Sequence, residues 1–358
     1  MAVTLEESIN SQTHNWVGAL LARQTFWVFV AAVIAFLYLS YASSAFFTGP
    51  NLFNVARNCA FVGIIGLGMT AVIATGGIDL SVGSILALAG MVCGMMMSWN
   101  YPIWVAIPCA IVAALGAGFA NGFFIAYVGM PAFVVTLGMM SIARSLAMVL
   151  SGNQMVYQFG VDHARLVAIG GGSTGGWFRA LANLVGPDTA AGGFLLSLAG
   201  RVNVPNPAIF LALFAIMFGF AFRWLVWGRY VFAIGGNEQA ATLTGVPVRS
   251  IKVSVYMLSA LMAGIAGILQ VGWLGTITTG MGTGIELYAI AAVVVGGASL
   301  AGGSGSAFGA VVGAVLFEMI RNSLTLLGIN PFWQGTFIGG FIILAVLSNH
   351  LRVLRQAD

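Results

Sequence analysis

The stretch GGIDLSVGSILALAG, from Gly76 to Gly90, contains a single aspartate inside otherwise apolar sequence. A glycine pair precedes Asp79, and a serine and a long apolar run follow it. Glycine tolerates an unwound or left-handed backbone, and an aspartate or serine before an apolar run is typical of a helix start. The stretch therefore predicts a break in one helix, an aspartate at the break, and a new apolar helix that begins near Val82.

The composition predicts that these helices lie in a membrane. Hydrophobic residues make up 60% of the 358 residues, charged residues make up 6%, and the mean hydropathy is +1.01. Soluble domains are about 25% charged, so this chain cannot cover a soluble globule with polar surface. A helix needs about 20 apolar residues to cross a bilayer. We predict an all-α, polytopic helical membrane protein whose transmembrane domain covers residues 26–350.

The apolar blocks predict about ten transmembrane helices. They lie near 26–46, 53–75, 81–98, 102–120, 131–150, 207–224, 251–271, 286–300, 304–327 and 333–349. The segment 121–130 is either a re-entrant or a connecting piece. Residues 1–25 lack the apolar core and cleavage site of a secretory signal and are predicted as a cytoplasmic tail, with an interfacial helix at 16–21. Residues 351–358 form a second tail.

The positions of lysine and arginine predict the orientation, because cytoplasmic loops carry an excess of both. With both termini inside, the cytoplasmic side receives Arg23, Arg223, Arg229, Arg249, Lys252, Arg352 and Arg355, and the outer side receives Arg57, Arg165, Arg179, Arg201 and Arg321. The glycine-rich segment 151–206 is then a periplasmic loop with a short helix at 177–185. Residues 225–250 form a cytoplasmic loop.

Ionisable residues inside a membrane are costly, about 2.5–3.5 kcal/mol each on insertion scales, and need a reason. Glu318 and Arg321 are three residues apart on one predicted helix and can form a local ion pair. Asp79 has no cation near it in sequence. Either it caps the helix that begins near Val82, or it makes a substrate, gating or coupling contact, with Arg144 as a potential partner. The two interpretations are compatible.

An internal echo links two parts of the chain. Residues 71–87, AVIATGGIDLSVGSILA, align without gaps to residues 291–307, AAVVVGGASLAGGSGSA. The aligned segments share both glycines of the pair, Leu80 with Leu300, and four further positions. Internal repeats are a recurring way to build transporters, with the substrate path at the repeat interface. Duplication and chance matching between small-residue helices both explain the echo.

Four motifs carry a resemblance to a known family. They are the opening stretch, GFANGFFIAYVGMPAFVVTLGMMSIARSLAMVLSG at 118–152, WGRYVFAIGGNEQAATLTGVPV at 227–248 and AVVVGGASLAGGSGSAFGAVVGAV at 292–315. Together they resemble the permease subunits of bacterial ribose, xylose and galactose-type ABC importers, over about residues 50–350. Two features depart from the family pattern. The outer loop has apparent extra sequence around 173–200, and Ser145 replaces a common glycine after Arg144.

The resemblance implies the partners and the location. It implies a homodimeric or heterodimeric pore surrounded by lipid in the bacterial inner membrane, two ATP-binding cassette subunits on the cytoplasmic side, and a periplasmic sugar-binding protein outside. The chain itself has no GxxxxGK[ST] phosphate loop, and its one lysine, Lys252, lies in no such motif. ATP hydrolysis is therefore expected on another chain, and this chain is not expected to be an enzyme or to hold a cofactor.

The cytoplasmic loop contains the segment that the resemblance assigns to ATPase coupling. Asn237 reads as the N-cap of a short helix, Glu238 to Leu243, that Gly245 and Pro247 end. An ordinary cytoplasmic loop with a helical turn is the alternative. The residues predicted for coupling are Gly235, Gly236, Asn237, Glu238, Ala241 and Gly245.

The favoured function is import of a monosaccharide or related polyol, and the predicted substrate pathway contains Asn58, Asp79, Asn121, Thr136 and Arg144. One alternative is an ion-coupled secondary transporter that uses Asp79, Glu286 and Glu318. Another is an ABC permease for a non-sugar small polar solute.

Other classes of protein find little support in the residues. The three histidines, His14, His163 and His350, lie outside the predicted spans, and no metal-spaced or nucleophile–base set occurs. The cysteines Cys59, Cys93 and Cys109 read as small core residues rather than as disulfides or metal ligands. The basic residues form no patch suited to nucleic acid.

Overall fold

The computed structural model describes residues 24–330 and positions 21, 333, 335, 336, 339, 340 and 343. Within these residues the chain forms fourteen α-helices and no strand. They are α1 Gln24–Ala42, α2 Gly49–Ala74, α3 Val82–Ser98, α4 Ile103–Phe123, α5 Ala132–Ser151, α6 His163–Gly171, α7 Thr174–Val185, α8 Ala190–Arg201, α9 Asn206–Trp224, α10 Val226–Gly236, α11 Glu238–Leu243, α12 Val248–Leu274, α13 Ile285–Val295 and α14 Ala307–Leu326.

The predicted all-α membrane architecture is confirmed. Seven described helices are long and apolar enough to cross a membrane: α1, α2, α4, α5, α9, α12 and α14. Two shorter apolar helices, α3 and α13, match two further predicted blocks. The predicted count of ten is therefore approximate. Most of the tenth block, 333–349, lies outside the described residues. So do residues 1–20, which contain most of the predicted N-terminal tail and of the predicted interfacial helix, and residues 351–358, the predicted C-terminal tail.

The helices α2 and α12 are the most buried of the long helices. Glycines let neighbours approach them closely. A Cβ on Gly118 of α4 would lie 2.6 Å from the Cβ of Ala260 on α12, and a Cβ on Gly122 would lie 2.6 Å from the Cα of Val253. Small residues at such contacts are the usual way in which membrane helices pack, because lipid offers no hydrophobic drive for association.

Two irregular segments interrupt the helices, one at the predicted break near Gly76 and one at the aligned glycine pair, 296–297, inside the block predicted at 286–300. The first break, residues 75–81, follows α2, and the second break, residues 296–306, follows α13. Gly76 has φ of +77° and Gly297 has φ of +105°, a backbone conformation that only glycine adopts readily. The two breaks meet, because the N–H of Gly303 donates to the carbonyl of Ala74 at 3.0 Å.

Of the two loop predictions, one is decided between its alternatives and one needs correction. Residues 121–130 are a connecting piece rather than a re-entrant one: they continue α4 into a π-helical turn, Phe124–Val128, that ends at Gly129 in the left-handed conformation. Residues 151–206 hold three helices, α6, α7 and α8, where one at 177–185 was predicted. The extra helix α6 packs on α12, and Gly170 and Gly272 meet with no space for a side chain. Contact with α12 thus makes this segment helical, although its glycines favour a loop.

The bundle has two ends. We call the end that holds residues 225–250 the inner end, and the end that holds residues 151–206 the outer end, after the orientation that lysine and arginine predict. The chain of α2 reaches the inner end at Ala74. The first break then returns toward the middle of the bundle, because Asp79 contacts Ser259, the twelfth residue of the 27-residue helix α12. The helix α3 accordingly starts at mid-depth.

Candidate functional site

The Asp79 carboxylate lies at the centre of a buried hydrogen-bond network. Its Oδ1 accepts from the backbone N–H of Ser81 at 3.0 Å and from the Ser81 hydroxyl at 2.5 Å. Its Oδ2 accepts from the Ser259 hydroxyl of α12 at 2.9 Å. All three side chains are fully buried. Burial of a carboxylate is costly unless donors replace water, and here three donors do so.

Two more of the predicted pathway residues join this network. The side-chain amide of Asn121, on α4, donates to the Ser81 hydroxyl at 2.9 Å. The Thr136 hydroxyl, on α5, donates to the carbonyl of Ala132 at 2.9 Å and lies 3.4 Å from the carbonyl of Ile78. Both residues have no exposed surface. The network therefore ties the first break to three separate helices, α4, α5 and α12.

The helix start at Val82 is as predicted, but the cap differs in detail. The Asp79 carboxylate bonds the N–H of Ser81, two residues on, rather than an amide of the helix itself. Aspartate commonly stabilises a turn in this way. The break is thus held by a side-chain turn that is itself held by Ser259.

Arg144 does not pair with Asp79, which corrects the predicted partnership. Its guanidinium donates to the carbonyls of Thr279 at 2.9 Å and Met281 at 2.6 Å. These carbonyls belong to the irregular segment 275–284 between α12 and α13. A backbone carbonyl inside the membrane needs a hydrogen-bond donor, and no pattern in the sequence indicated that this segment turns inward.

Asn58 lies apart from the network, nearer the outer end. It lines a small cavity together with Glu318 and Arg321 of α14. The predicted ion pair between those two residues is confirmed, with Nη2 of Arg321 at 2.9 Å from Oε1 of Glu318. The five predicted pathway residues therefore divide into three in the buried network, Arg144 on α5 bonded to the segment 275–284, and Asn58 in the outer cavity.

A larger cleft opens at the inner end. Its volume is about 870 Å³, and it is lined by Thr75, Gly76 and Gly77 of the first break, by the turn after α4, and by residues of α11 and α12. Tyr256 separates the cleft from the Asp79 network. Its buried hydroxyl accepts and donates no hydrogen bond within the described part of the chain. The first break therefore has the inner cleft on one side and the buried network on the other.

The predicted short helix is present at the edge of this cleft. The Asn237 side chain accepts from the N–H of Ala240 at 2.9 Å and caps α11, Glu238–Leu243, as predicted. Gly245, with φ of +84°, follows the helix end. Ala241 is buried beneath α11, whereas Leu243 is 88% exposed. The helix thus has one side chain packed on the bundle and leaves most of its surface exposed at the inner end.

Two contacts connect α11 and the segment before it to the bundle. The Lys252 ammonium of α12 lies 2.7 Å from both carboxylate oxygens of Glu238. Gly235 packs so closely on the carbonyl of Ala74 and the N–H of Gly303 that a Cβ would overlap both. Its neighbour Gly236 has open space around the same position. The segment at 235–236 thus touches the point where the two helix breaks meet.

Sequence reasoning missed Ser259 and Tyr256, the two residues of α12 that face the first break. The available signal was weak: both are polar groups inside a predicted span, and they lie three residues apart on one helical face. Which face turns toward Asp79 depends on the packing of α12 between α3 and α4. Sequence spacing alone does not contain that information.

Comparison with known proteins identifies the family. Residues 51–346 match the family model described as "Branched-chain amino acid transport system / permease component". The chain belongs to this family. It is a multi-pass permease component of the bacterial inner membrane, one part of a transport system whose ATP-hydrolysing and solute-binding parts are other chains. No solved structure matches the chain.

Several relatives match nearly the whole chain. The ribose import permease protein RbsC of Escherichia coli strain K12 is 35% identical over 318 residues, 89% of this chain and 91% of its own. The galactose/methyl galactoside import permease protein MglC of Salmonella typhimurium is 33% identical over 346 residues, 92% of this chain and 95% of its own. The D-allose transport system permease protein AlsC of E. coli K12 is 30% identical over 324 residues, 90% of each chain. The resemblance predicted from the motifs is confirmed.

Proposed function

We propose that this chain is the membrane-spanning subunit of an ATP-driven importer for a monosaccharide or related polyol. A separate ATPase hydrolyses the nucleotide, and this chain carries no catalytic residue. Residues 26–350 form the permease domain between two cytoplasmic tails, with 151–206 outside and the coupling loop 225–250 inside. The permease works as a homodimer in contact with membrane lipid.

One observation carries the proposal: the exposed, capped helix α11 lies beside the inner cleft, and its preceding glycines touch both helix breaks. A motor protein that grips α11 acts on Glu238, whose carboxylate is bonded to Lys252 of α12. Through Gly235 it acts on Ala74 and Gly303. Rigid helices joined at short irregular segments are the usual parts of such transitions.

The inner cleft and the outer cavity lie at the two ends of the proposed solute pathway. Tyr256 of the inner cleft and Gln270 of the outer cavity are fourteen residues apart on α12, about 21 Å at the helical rise. Ser259, which bonds Asp79, lies between them on α12, and Asp79, Asn121 and Thr136 are fully buried. We expect a solute to pass these residues only when the first break moves. Arg144 holds the inward-turning segment that borders the outer cavity.

The substrate class follows from the relatives, whose names give ribose, galactose and allose. The wider family takes its description from amino-acid transport, so a non-sugar small polar solute is the alternative. The helices α7 and α8, with Arg179 and Arg201 on them, are the proposed docking surface for the sugar-binding protein, because surface charges guide such encounters.

A charge-swap cycle tests the coupling. The Glu238–Lys252 pair is partly exposed, and pairs of this kind contribute about 0.2–1 kcal/mol, so its loss does not unfold the protein. We expect Glu238→Lys to reduce ATP-driven uptake at least about tenfold. If α12 receives motion through this pair alone, the double variant Glu238→Lys/Lys252→Glu restores uptake.

Binding of the ATPase to the same variants separates the outcomes. If the double variant does not regain uptake and also fails to retain the ATPase, Glu238 contacts the ATPase directly. That result still supports coupling at α11. Arg223→Glu, on the last turn of α9 and outside the coupling residues, is the matched control and should keep uptake. Unchanged uptake in Glu238→Lys itself would overturn the assignment of α11.

A further inference from the structure

The outer cavity is built by three helices that each present one face to it. Asn58, Phe61 and Val62 of α2 follow helical spacing, as do Gln270 and Trp273 of α12. On α14 the lining positions are 314, 317, 318 and 321, again one face. The segment 282–288 closes the remaining side. We call this cavity of about 290 Å³ the outer pocket.

One wall of the outer pocket is polar and incompletely satisfied. The side-chain oxygen of Gln270 is buried and accepts no hydrogen bond from the described residues. A buried acceptor without a donor costs about 1–3 kcal/mol, so its presence points to a ligand that donates. Glu318, 5% exposed, already pairs with Arg321, and Asn58 lies beside its carboxylate. The paired charges leave this wall with hydrogen-bonding groups but no free anion.

A second part of the lining is aromatic. The rings of Phe61 and Trp273 stack with centroids 5.7 Å apart, and Tyr288 and Phe317 complete the wall. The Arg57 guanidinium lies 4.1 Å from the centroid of the Trp273 ring and fixes it in place. Aromatic rings carry partial negative charge on their faces and attract polarised C–H groups. A ligand with hydroxyls on one edge and C–H groups on another matches both walls.

Size and charge narrow the ligand further. Pockets for drug-sized ligands run from about 300 to 1,000 Å³, so the outer pocket is at the small end and suits one sugar ring rather than two. A zwitterionic amino acid would have to displace the Glu318–Arg321 pair. A neutral sugar can bond to both members without separating them, because each hydroxyl donates and accepts.

We propose that the outer pocket is a binding site for a single monosaccharide within the permease itself, occupied between release from outside and passage to the inner cleft. This rests on the proposed function and deepens it, since it gives the permease its own contact with the sugar. The key groups are the side-chain amides of Asn58 and Gln270 and the carboxylate of Glu318. The aromatic ring of Tyr288, which also lines the pocket, contacts the C–H face of the sugar.

Ligand-observed NMR on the purified full-length permease tests the site without any partner. The permease in lipid nanodiscs is titrated with D-ribose, D-galactose and D-allose, and with L-leucine as the non-sugar comparison. We expect saturation transfer to at least one sugar and none to L-leucine. Gln270→Met keeps the shape and removes the acceptor, so the affinity should fall about tenfold. Gln154→Met, at an exposed position of the outer end, should leave it unchanged.

Each of the remaining outcomes also decides whether the outer pocket binds a sugar. No transfer to any of the sugars, undiminished affinity in Gln270→Met, or transfer to L-leucine that Gln270→Met removes would overturn the proposal. If Gln270→Met does not purify as a folded protein, Glu318→Gln is tested in its place. An undiminished sugar affinity of Glu318→Gln also overturns the proposal. If the permease binds no sugar without its partners but the complete importer takes up sugar with ATP, only the proposed pocket site is wrong. Sugar binding without ATP-driven uptake defeats only the proposed function.

Discussion

The two helix breaks share one side-chain turn and differ in chemistry. In the sequence echo, Asp79 of the first break aligns with Ser299 of the second. The Asp79 carboxylate accepts from the N–H of Ser81 at 3.0 Å, and the Ser299 hydroxyl accepts from the N–H of Ala301 at 3.2 Å. Each side chain therefore closes the same two-residue turn after a glycine pair. A serine provides the same turn, though more weakly than an aspartate does, so the turn alone does not require a charge.

The difference lies in what else the side chain reaches. The second oxygen of Asp79 accepts from Ser259 on α12, and the whole group is buried. Ser299 is partly exposed, and its break is held by backbone contacts to Ala74 and Gly235 and by the Thr25 hydroxyl, which donates to the carbonyl of Gly296 at 2.9 Å. The first break is thus fixed to the core, and the second is fixed to α1, to the end of α2 and to the coupling loop. We infer that motion of the coupling loop reaches both breaks where they meet.

The largest effect is expected from removal of the Asp79 side chain. In Asp79→Ala the Ser81 N–H and the Ser81 and Ser259 hydroxyls lose their acceptor, and unsatisfied buried donors cost about 1–3 kcal/mol each. Uptake should be abolished while the protein still inserts into the membrane. Uptake rates and the amount of inserted protein measure both.

Asp79→Asn sharpens the same comparison. An amide retains the acceptor for Ser81 and can donate to the Ser259 hydroxyl, so stability should return. If Asp79 serves to fix the break, most of the uptake returns with it. A stable but inactive Asp79→Asn would show instead that the charge itself takes part in transport, as an ion-coupled mechanism requires.

A smaller effect is expected at the junction of the breaks. A Cβ on Gly235 overlaps the Ala74 carbonyl, whereas Gly236 has open space. Gly235→Ala should therefore separate the coupling loop from the breaks and lower ATP-driven uptake about tenfold, by a shift of over 1 kcal/mol. Gly219→Ala on α9, where a Cβ also meets open space, is the matched control with near-normal uptake. Equal uptake in the two variants would remove Gly235 from the coupling path.

The smallest effect is expected from the counterpart of Asp79. Ser299→Ala removes one hydrogen bond from a partly exposed turn, so stability should fall by about 0.5–1.5 kcal/mol. Uptake should change less than about twofold. Thermal unfolding of the purified protein and uptake in the same preparation test this. A Ser299→Ala variant as inactive as Asp79→Ala would mean that the two breaks contribute equally.

Local signals in the sequence predicted the local structure well. The helix start at Val82, the Asn237 cap and the helix Glu238–Leu243 follow from short-range chemistry, since the capping residue and the capped amide are neighbours in the chain. The Glu318–Arg321 pair was predictable for the same reason, because residues three apart share a helix face. The glycine pairs marked both breaks.

Contacts between distant segments could not be predicted. Ser259 meets Asp79 across 180 residues, and Arg144 meets carbonyls 135 and 137 residues away. A lone arginine and a lone aspartate in apolar sequence suggested an ion pair, but backbone carbonyls of an inward-turning segment satisfied the arginine. The orphaned Gln270 oxygen likewise became visible only once the faces of three helices were known.

Solute accumulation in proteoliposomes tests the central claim most directly. The permease is reconstituted alone, and in parallel with its ATPase and binding protein, under imposed proton and sodium gradients and with or without ATP. The account predicts accumulation against a gradient only when the ATPase and ATP are both present. Accumulation by the permease alone, driven by either ion gradient, would contradict it.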